Sequence, residues 1–257
     1  MRHSRITPAL VAVAHGSRDP RAAATIGELL SVVRSRAAGR GAGGLDVRPA
    51  FLGHSAPSLP QVLGAVAAEH DACVVVPLLL TAAYHSKTDI PALLADARTA
   101  LPRLDIRYAG TLGPDPLLLA ALGRRLAEAG ASRACSVVLA AAGSSDPAAN
   151  ACVAALAARW QADGGWRRVV PAYASAASPS PGEAVRGLVG PGPVAVATYL
   201  LAPGYFADQV RDAALAAGAL TVSGALGAAP EVADVIIDRY LAEVCAERPV
   251  PLMASSQ

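Results

Sequence analysis

One motif occurs twice in this chain, and only its first copy contains a histidine. Residues 11–20 read VAVAHGSRDP and residues 138–147 read VLAAAGSSDP, so Ala142 stands where the first copy has His15. A second match aligns residues 74–90 with residues 194–210 and places Tyr205 opposite His85. All five histidines lie in the segment that ends at residue 85. A duplication that keeps its frame and loses ionisable residues in one copy indicates one working site, around His15 and His85, and one scaffold copy.

A third pair of segments extends the duplication towards the end of each half. Residues 110–116 read GTLGPDP and residues 224–230 read GALGAAP, in the same order as the earlier matches. Loops lose residues more readily than packed elements, which explains why the spacing between copies shortens along the chain. Solenoid repeats recur at roughly 20–50 residues, far less than this period. We therefore predict two duplicated domains, residues 1–130 with the histidines and residues 135–247 without them.

Composition excludes several classes of protein. With 53% hydrophobic and 16% charged residues, the 257-residue chain is expected to be globular rather than disordered. A net charge of +2 without a basic run gives no support for a nucleic-acid partner. The longest apolar stretch, residues 74–84, is about half of what a membrane span needs. The four cysteines lack CxxC spacing and are typical of buried thiols in the cytoplasm, which is the predicted location.

Apolar runs of strand length alternate with helical stretches in both halves. Predicted strands cover residues 9–14, 47–52, 73–80, 106–109, 135–141, 169–173, 194–201 and 220–223. Their nearly continuous Val, Leu and Ala content is typical of strands covered by helices on both faces. Aspartates before the first helical residue are predicted N-caps, at Asp19, Asp89, Asp115 and Asp146. The pattern predicts an α/β protein with one parallel sheet in each half.

Two histidines follow predicted strands directly. His15 follows the first strand and His85 the third, and ligands of parallel sheets bind beyond the carboxyl ends of the strands. Two neutral imidazoles in an open cleft are typical of a site for Fe, Co, Ni or Zn. Free coordination positions suit a metal that is passed on rather than retained. His54, after the second strand, is either a third ligand, a proton acceptor or a surface loop residue. We expect His70 to be solvated and His3 to be incidental.

Polar residues around the two histidines predict an anionic substrate. The candidate substrate-binding residues are Ser17, Arg18, Tyr84, Ser86 and Lys87. The second copy has Ser145 in place of Arg18 and Ala207 in place of Lys87, so positive charge is lost together with the histidines. Cations next to a metal site repel the metal and are better suited to bind carboxylates. Ordinary solvated loop charges are the alternative.

The sequence AHGSRDP, followed by LLLTAAYHSKTDIP, resembles the sirohydrochlorin chelatases of the class II chelatase superfamily. The resemblance extends over the whole chain and implies two flavodoxin-like domains around a cleft for a planar tetrapyrrole. It further implies that His15 and His85 bind the metal and accept protons. Ala83 departs from a glycine that is common in the family. Gly53-His54 stands where the family often has a glutamate, which makes His54 a candidate substitute as a metal ligand.

This resemblance implies a metallochelatase that inserts Co²⁺ or Fe²⁺, with Ni²⁺ as a further option, into sirohydrochlorin for cobalamin or sirohaem biosynthesis. No organic cofactor is expected, and Arg18 and Lys87 would meet the carboxylates of the macrocycle. Because the imidazoles must be neutral to act, we predict that activity falls below about pH 6.5. Tyr199, Tyr205 and Phe206 of the second half either contact the flat ring or pack at the domain interface. The chain is expected to be a monomer or a homodimer.

Two other functions are compatible with the same residues. A non-catalytic carrier of metal or tetrapyrrole would use the same cleft and would bind stoichiometrically without turnover. A phosphoryl-transfer enzyme with His15 as nucleophile would need several arginines around that histidine. Only Arg18 and Arg21 are near in sequence, which disfavours this class.

Overall fold

The computed structural model describes residues 7–82, 85–188, 190 and 192–246, without the side chains of His85 and Ser86. Within these residues the chain forms two four-stranded sheets, ordered β2-β1-β3-β4 and β6-β5-β7-β8. Every strand pair is parallel. The predicted α/β fold with one parallel sheet in each half is confirmed.

The first half consists of four strands and four helices in alternation. Its elements are β1 Ala9–Ala14, α1 Pro20–Ala37, a 3-10 turn Ala38–Arg40, β2 Val47–Phe51, α2 Leu59–Ala67, β3 Ala72–Pro77, a π-helical segment His85–Asp89, α3 Ile90–Ala100, β4 Asp105–Tyr108 and α4 Pro116–Glu128. The second half repeats this order. Its elements are β5 Ser136–Ala141, α5 Pro147–Gly164, β6 Arg168–Tyr173, α6 Pro181–Leu188, β7 Val194–Tyr199, α7 Tyr205–Ala216, β8 Thr221–Val222 and α8 Pro230–Cys245.

Three of the four predicted N-caps are formed. The carboxylates of Asp19, Asp115 and Asp146 each accept a hydrogen bond from the backbone N–H two residues later, at 2.9–3.0 Å. Each is followed by a proline at the first helical position. The expected cap at Asp89 is wrong. Its backbone is already helical, as the last residue of the π-helical segment, and its side chain makes no capping bond.

The last helix of each half packs on the other half. Helix α8 lies against α1, α4 and β3, and α4 lies against β7. One hydrophobic cluster therefore contains the inner faces of both sheets together with α1, α4, α5 and α8. Separate clusters join the outer face of the first sheet to α2 and α3, and that of the second sheet to α6 and α7. The two halves therefore share one core. The division of the chain into domains 1–130 and 135–247 stays a prediction.

Polar contacts reinforce this joint between the halves. Arg239 of α8 donates to the carbonyls of Thr111 and Leu112 and to the Asp115 carboxylate, at 2.9–3.1 Å. The hydroxyl of the fully buried Tyr240 donates to the Pro8 carbonyl at 2.8 Å. These partners lie more than 120 residues apart in sequence, so the arrangement of the halves is specified by directional bonds as well as by burial.

Membrane insertion finds no support in the helices. Within the described part of the chain, no helix combines the length and the apolar character that a membrane crossing requires.

Candidate functional site

A cavity of about 720 Å³ lies where the carboxyl ends of the two sheets face each other. One wall is the loop between β1 and α1, which contributes His15, Ser17 and Arg18, together with His54 after β2. The opposite wall is the loop between β7 and α7, including Tyr205 and the first turn of that helix. Ligands of parallel α/β folds bind at this edge of the sheet. The cavity thus brings together several predicted site residues from segments far apart in sequence.

A close backbone contact fixes the position of His15. Gly16 has φ 89°, and a Cβ at this position would lie 1.7 Å from the carbonyl oxygen of Gly53. The Gly53 N–H donates to the His15 carbonyl at 3.1 Å. Only glycine allows this approach, because any side chain at Gly16 would overlap the neighbouring backbone. The residue after Gly53 is His54, so the same contact sets the spacing between the two histidine-bearing loops.

The second half repeats this contact without the imidazoles. Gly143 has φ 85°, and a Cβ there would lie 1.9 Å from the Ser175 carbonyl oxygen. Ser175 donates to the Ala142 carbonyl at 2.9 Å. The next residue, Ala176, has φ 59°, the same value as His54. Ala176 is therefore the structural counterpart of His54, a correspondence hidden in the sequence because the segment around β2 and β6 has diverged.

His54 shows the same loss in the duplicate as His15. Its side chain is exposed and lines the cavity that His15 also lines. An exposed histidine with φ 59° is uncommon, since non-glycine residues rarely adopt the left-handed region. Of the roles left open by the sequence, this position favours a ligand or proton acceptor, which stays a prediction.

Of the three histidines predicted at the site, His85 is described only by its backbone. His85 begins the π-helical segment that leads directly into α3. The side chains of His85 and Ser86 and all of Tyr84 lie outside the described residues. The predicted metal-binding pair of His15 and His85 stays a prediction. A π-helical segment at this point fits a functional position, because such segments are often found at functional sites.

The hydroxyl of Ser17 shapes the loop that carries His15. Its Oγ accepts from the Asp19 N–H at 3.0 Å, and Ser144 in the second half accepts from Asp146 at the same distance. The Ser17 backbone is also held by Ser55, whose Oγ donates to the Ser17 carbonyl at 3.1 Å. A contact present in both copies is structural. Ser17 also lines the cavity, so its predicted role in substrate binding stays open.

Two of the nearby cations bridge the halves. Arg21 contacts both Asp19 and Asp208 at 2.6 Å, and Lys87 contacts Asp146 at 2.8 Å. Hydrogen bonds from Arg21 hold the pKa of Asp19 and of Asp208 below the ordinary carboxyl value. Nothing in the local sequence marks Asp208 as a partner, because it lies 187 residues from Arg21.

Arg18 differs from these two cations. It is exposed, lines the cavity and makes no hydrogen bond or ion pair with any residue in the described ranges. Lys87 was also predicted to bind substrate, and a substrate carboxylate would have to compete there with Asp146. A guanidinium without a protein partner can bind a carboxylate without breaking an existing pair. Arg18 is therefore the stronger candidate for anion binding.

A smaller chamber of about 310 Å³ continues behind His15. It is lined mainly by Leu78–Leu80, by the loop after β5 and by Tyr199. The Tyr199 hydroxyl donates to the Leu80 carbonyl at 3.0 Å, and burial raises the pKa of this phenol. Tyr199 is almost completely buried, so for this residue the interface alternative is correct. Tyr205 and Phe206 instead line the larger cavity and are exposed.

The expectation that His70 is solvated is wrong. Its side chain is 14% exposed, and its Nε2 lies 3.0 Å from the Asp46 carboxylate. With Glu69, these residues bring three possible metal ligands together. Arg48 already contacts Asp46 at 2.7 Å and Glu69 at 2.5 Å. The guanidinium of Arg48 therefore offsets part of the negative charge of this cluster, which lies at the end of the first sheet opposite the cavity. His3 lies outside the described residues.

Comparison with known proteins identifies relatives over almost the whole chain. The CbiX family model matches residues 9–129 and 136–243, once in each half. A curated sirohydrochlorin ferrochelatase of Priestia megaterium is 32% identical over 108 residues. That match spans 41% of this chain and 41% of the relative, so it covers less than half of the relative's length.

Solved structures show the same fold. SirB from Bacillus subtilis with Fe³⁺ superimposes with a TM-score of 0.80 at 24% identity, over 93% of this chain and 96% of SirB. CbiX, described as the terminal enzyme for biosynthesis of sirohaem in denitrifying bacteria, gives a TM-score of 0.60 at 22% identity, over 91% of this chain and 98% of that one.

Proposed function

Because this chain belongs to the CbiX family, we propose that it is a metallochelatase that inserts a divalent metal into sirohydrochlorin. The observation that carries the proposal is the one-sided loss of histidines within a conserved frame. His15 and His54 line one cavity, whereas their counterparts are Ala142 and Ala176. The loop that positions each pair is the same in both halves. What was lost is therefore the imidazole chemistry and not the loop structure.

The metal is a substrate in this reaction. In our proposal His15 and His85 bind it, with His54 as a third donor in place of the carboxylate expected from the family. Imidazoles favour Fe, Co, Ni and Zn over the hard cations, which fits Co²⁺ and Fe²⁺ and leaves Ni²⁺ as an option to be tested. A site of two or three imidazoles leaves coordination positions for the pyrrole nitrogens. The metal can thus exchange protein ligands for those of the macrocycle without passing through water.

Insertion also requires the pyrrole N–H protons to leave. A neutral imidazole is the natural acceptor near neutral pH. Tyr199 is unsuited to this role, since burial raises its pKa and its hydroxyl is committed to the Leu80 carbonyl. In our proposal an imidazole that has passed the metal to the macrocycle takes one of the two displaced protons while another still holds the metal. The second proton goes to that other imidazole once the metal has left it. The fixed spacing of the loops of His15 and His54 supplies the positioning on which such a step depends.

The substrate carries several carboxylates, and the two candidate cations, Arg18 and Lys87, differ in how readily they can bind one. Arg18 is the cation assigned to a substrate carboxylate because it lines the cavity without a protein partner in the described part of the chain. We retain Lys87, Ser17, Tyr84 and Ser86 as proposed substrate contacts, with Lys87 exchanging its bond to Asp146 for one to the substrate. We place the reaction in the cytoplasm, where four free cysteines would remain reduced.

The test follows the disappearance of the absorbance of metal-free sirohydrochlorin with Co²⁺, Fe²⁺ or Ni²⁺, corrected for spontaneous insertion. We expect His15→Ala and His85→Ala each to lower kcat/KM by at least about 100-fold, the size of a typical acid–base contribution. His54→Ala should lower it by about tenfold if His54 supplies one of several donors. His70→Ala, at the other end of the sheet, controls for loss of a histidine as such and should retain activity.

The same assay separates the enzyme from a carrier. A carrier would bind one equivalent of metal or macrocycle tightly and give no acceleration over the enzyme-free reaction. Turnover beyond one equivalent, lost in the His15 and His85 variants, excludes the carrier. Stoichiometric binding without turnover in the wild type would refute the chelatase.

A further inference from the structure

Two adjacent aromatic side chains are exposed at the mouth of the cavity. Tyr205 is 75% exposed and Phe206 is 41% exposed, and both line the same cavity as His15 and His54. Large aromatic side chains usually gain free energy by burial, so two that remain exposed next to each other mark a contact surface. Because both side chains line the cavity, the molecule that contacts them is the ligand of the cavity.

The backbone before the two aromatics is held close to the loop of His15. Gly204, at φ 150°, caps α7, and a Cβ there would lie 3.9 Å from Ser17 Oγ. Asp208, one turn into the same helix, is bound to Arg21 of α1 at 2.6 Å. The start of α7 is therefore tied to the start of α1, directly beside the histidine loop. This attachment gives the aromatic pair a fixed position relative to His15.

The two rings form a corner rather than a flat surface. Their centroids are 5.5 Å apart, and their planes are inclined by 67°. A planar ligand that stacks on one ring meets the other ring with its edge, and both arrangements are favourable for π systems. Such a corner defines the height of a flat macrocycle in the cavity and also its lateral position.

We propose that Tyr205 and Phe206 form the surface on which the tetrapyrrole stacks, and that the second half has exchanged metal binding for macrocycle binding. This inference rests on the proposed function. In the sequence alignment Tyr205 stands opposite His85, whereas the strand pairings match Val75 to Val196 and place Phe206 opposite it. In either register the position that carries an imidazole in the first half carries an exposed aromatic ring in the second. The two halves then hold the two substrates from opposite walls of one cavity.

The test measures binding of metal-free sirohydrochlorin, by fluorescence anisotropy of the macrocycle, in the absence of metal. The variants are Tyr205→Leu, Phe206→Leu and the double variant, which keep apolar bulk and remove the aromatic faces. Tyr205→Phe keeps the ring and should bind like wild type. Leu215→Ala is the matched control, because Leu215 is exposed on the same helix and does not line the cavity.

We expect the double variant to bind the macrocycle about tenfold more weakly, with KM raised by a similar factor, from the usual strength of aromatic stacking. The kcat should change by less than about threefold, since the rings position the substrate and take no proton. Thermal stability should be unchanged because both side chains are exposed.

Two outcomes would overturn the proposal, and they are distinguishable. If wild type inserts metal and the double variant binds the macrocycle equally well, the stacking surface is wrong and the chelatase assignment stands. If wild type binds no macrocycle at all, the chelatase assignment fails and the stacking surface fails with it.

Discussion

The glycine contact beside His15 provides the sharpest test of how the site is positioned. We predict that Gly16→Ala destroys activity while leaving a folded protein. The Cβ of an alanine would lie 1.7 Å from the Gly53 carbonyl oxygen, against a practical minimum of 3.0 Å. The loops of His15 and His54 must therefore separate by more than about 1 Å. A misplacement of that size can cost about 100-fold in rate, because catalysis depends on the alignment of the reacting groups.

The cost in stability can be worked out from the same contact. Holding an alanine at φ 89° costs about 1–2 kcal/mol. Losing the hydrogen bond from Gly53 to the His15 carbonyl adds about 1 kcal/mol. A total of about 2–3 kcal/mol lowers the melting temperature of a chain of this size by roughly 5–10 °C. Differential scanning calorimetry and the sirohydrochlorin absorbance assay measure the two effects on the same samples.

Gly143→Ala is the matched control. Its Cβ would lie 1.9 Å from the Ser175 carbonyl at φ 85°, so the loss of stability should be nearly the same. The loop it displaces carries Ala142 and Ala176 instead of histidines, and kcat/KM should fall by less than about tenfold. If Gly16→Ala and Gly143→Ala had the same activity, whether both high or both low, the argument that the contact acts through histidine placement would be refuted.

Three further predictions concern charge, pH and the shared core. Arg18→Gln should raise KM for the macrocycle about tenfold. The melting temperature should not change, because Arg18 has no partner among the described residues. An unchanged KM at low salt would contradict its role in substrate binding. Metal insertion should fall below about pH 6.5 as imidazoles protonate. The Arg21 bridge lowers the pKa of Asp19 and Asp208 from 3.8, so its contribution is complete above about pH 4 and is lost only as pH falls through the lowered values. Macrocycle binding should therefore persist at pH 5, and parallel loss of binding and insertion would count against this separation. Ile236→Ala in α8 should cost about 2–4 kcal/mol and shift one common unfolding transition, because this fully buried residue belongs to the joint core; two resolved transitions in urea would show independent halves.

The alternation of strands and helices was predictable because both signals are local. The strand bounds agree with the apolar runs to within one residue, except where those runs continue past the sheet. Residues 78–80 were expected to extend β3, but the strand ends at Pro77 and these leucines line the smaller chamber. The same holds for Leu200 and Leu201 after β7. An apolar run does not tell whether its leucines pack between helices or line a cavity.

The site was predictable only where the sequence repeat retained its letters. The Gly-Ser-x-Asp-Pro frame shows from the sequence alone that Ala142 stands in the second copy where the first copy has His15. The correspondence of His54 with Ala176 required the backbone, because it is visible in the shared φ of 59° and in the shared glycine contact. The pairing of Arg21 with Asp208 depends on how the halves dock and could not be read from either segment.

The shared core explains why a half without histidines has to be kept. Helix α8 covers β3 of the first sheet, and α4 covers β7 of the second, so each half supplies a layer of the other. Removing the second half would expose the inner face of the first sheet, on which the loop of His15 is built. The second half also supplies the opposite wall of the cavity, from Leu200 to Asp208. Once the two copies were interlocked in this way, the imidazoles of one copy were free to be lost, because its packing and its wall were still required.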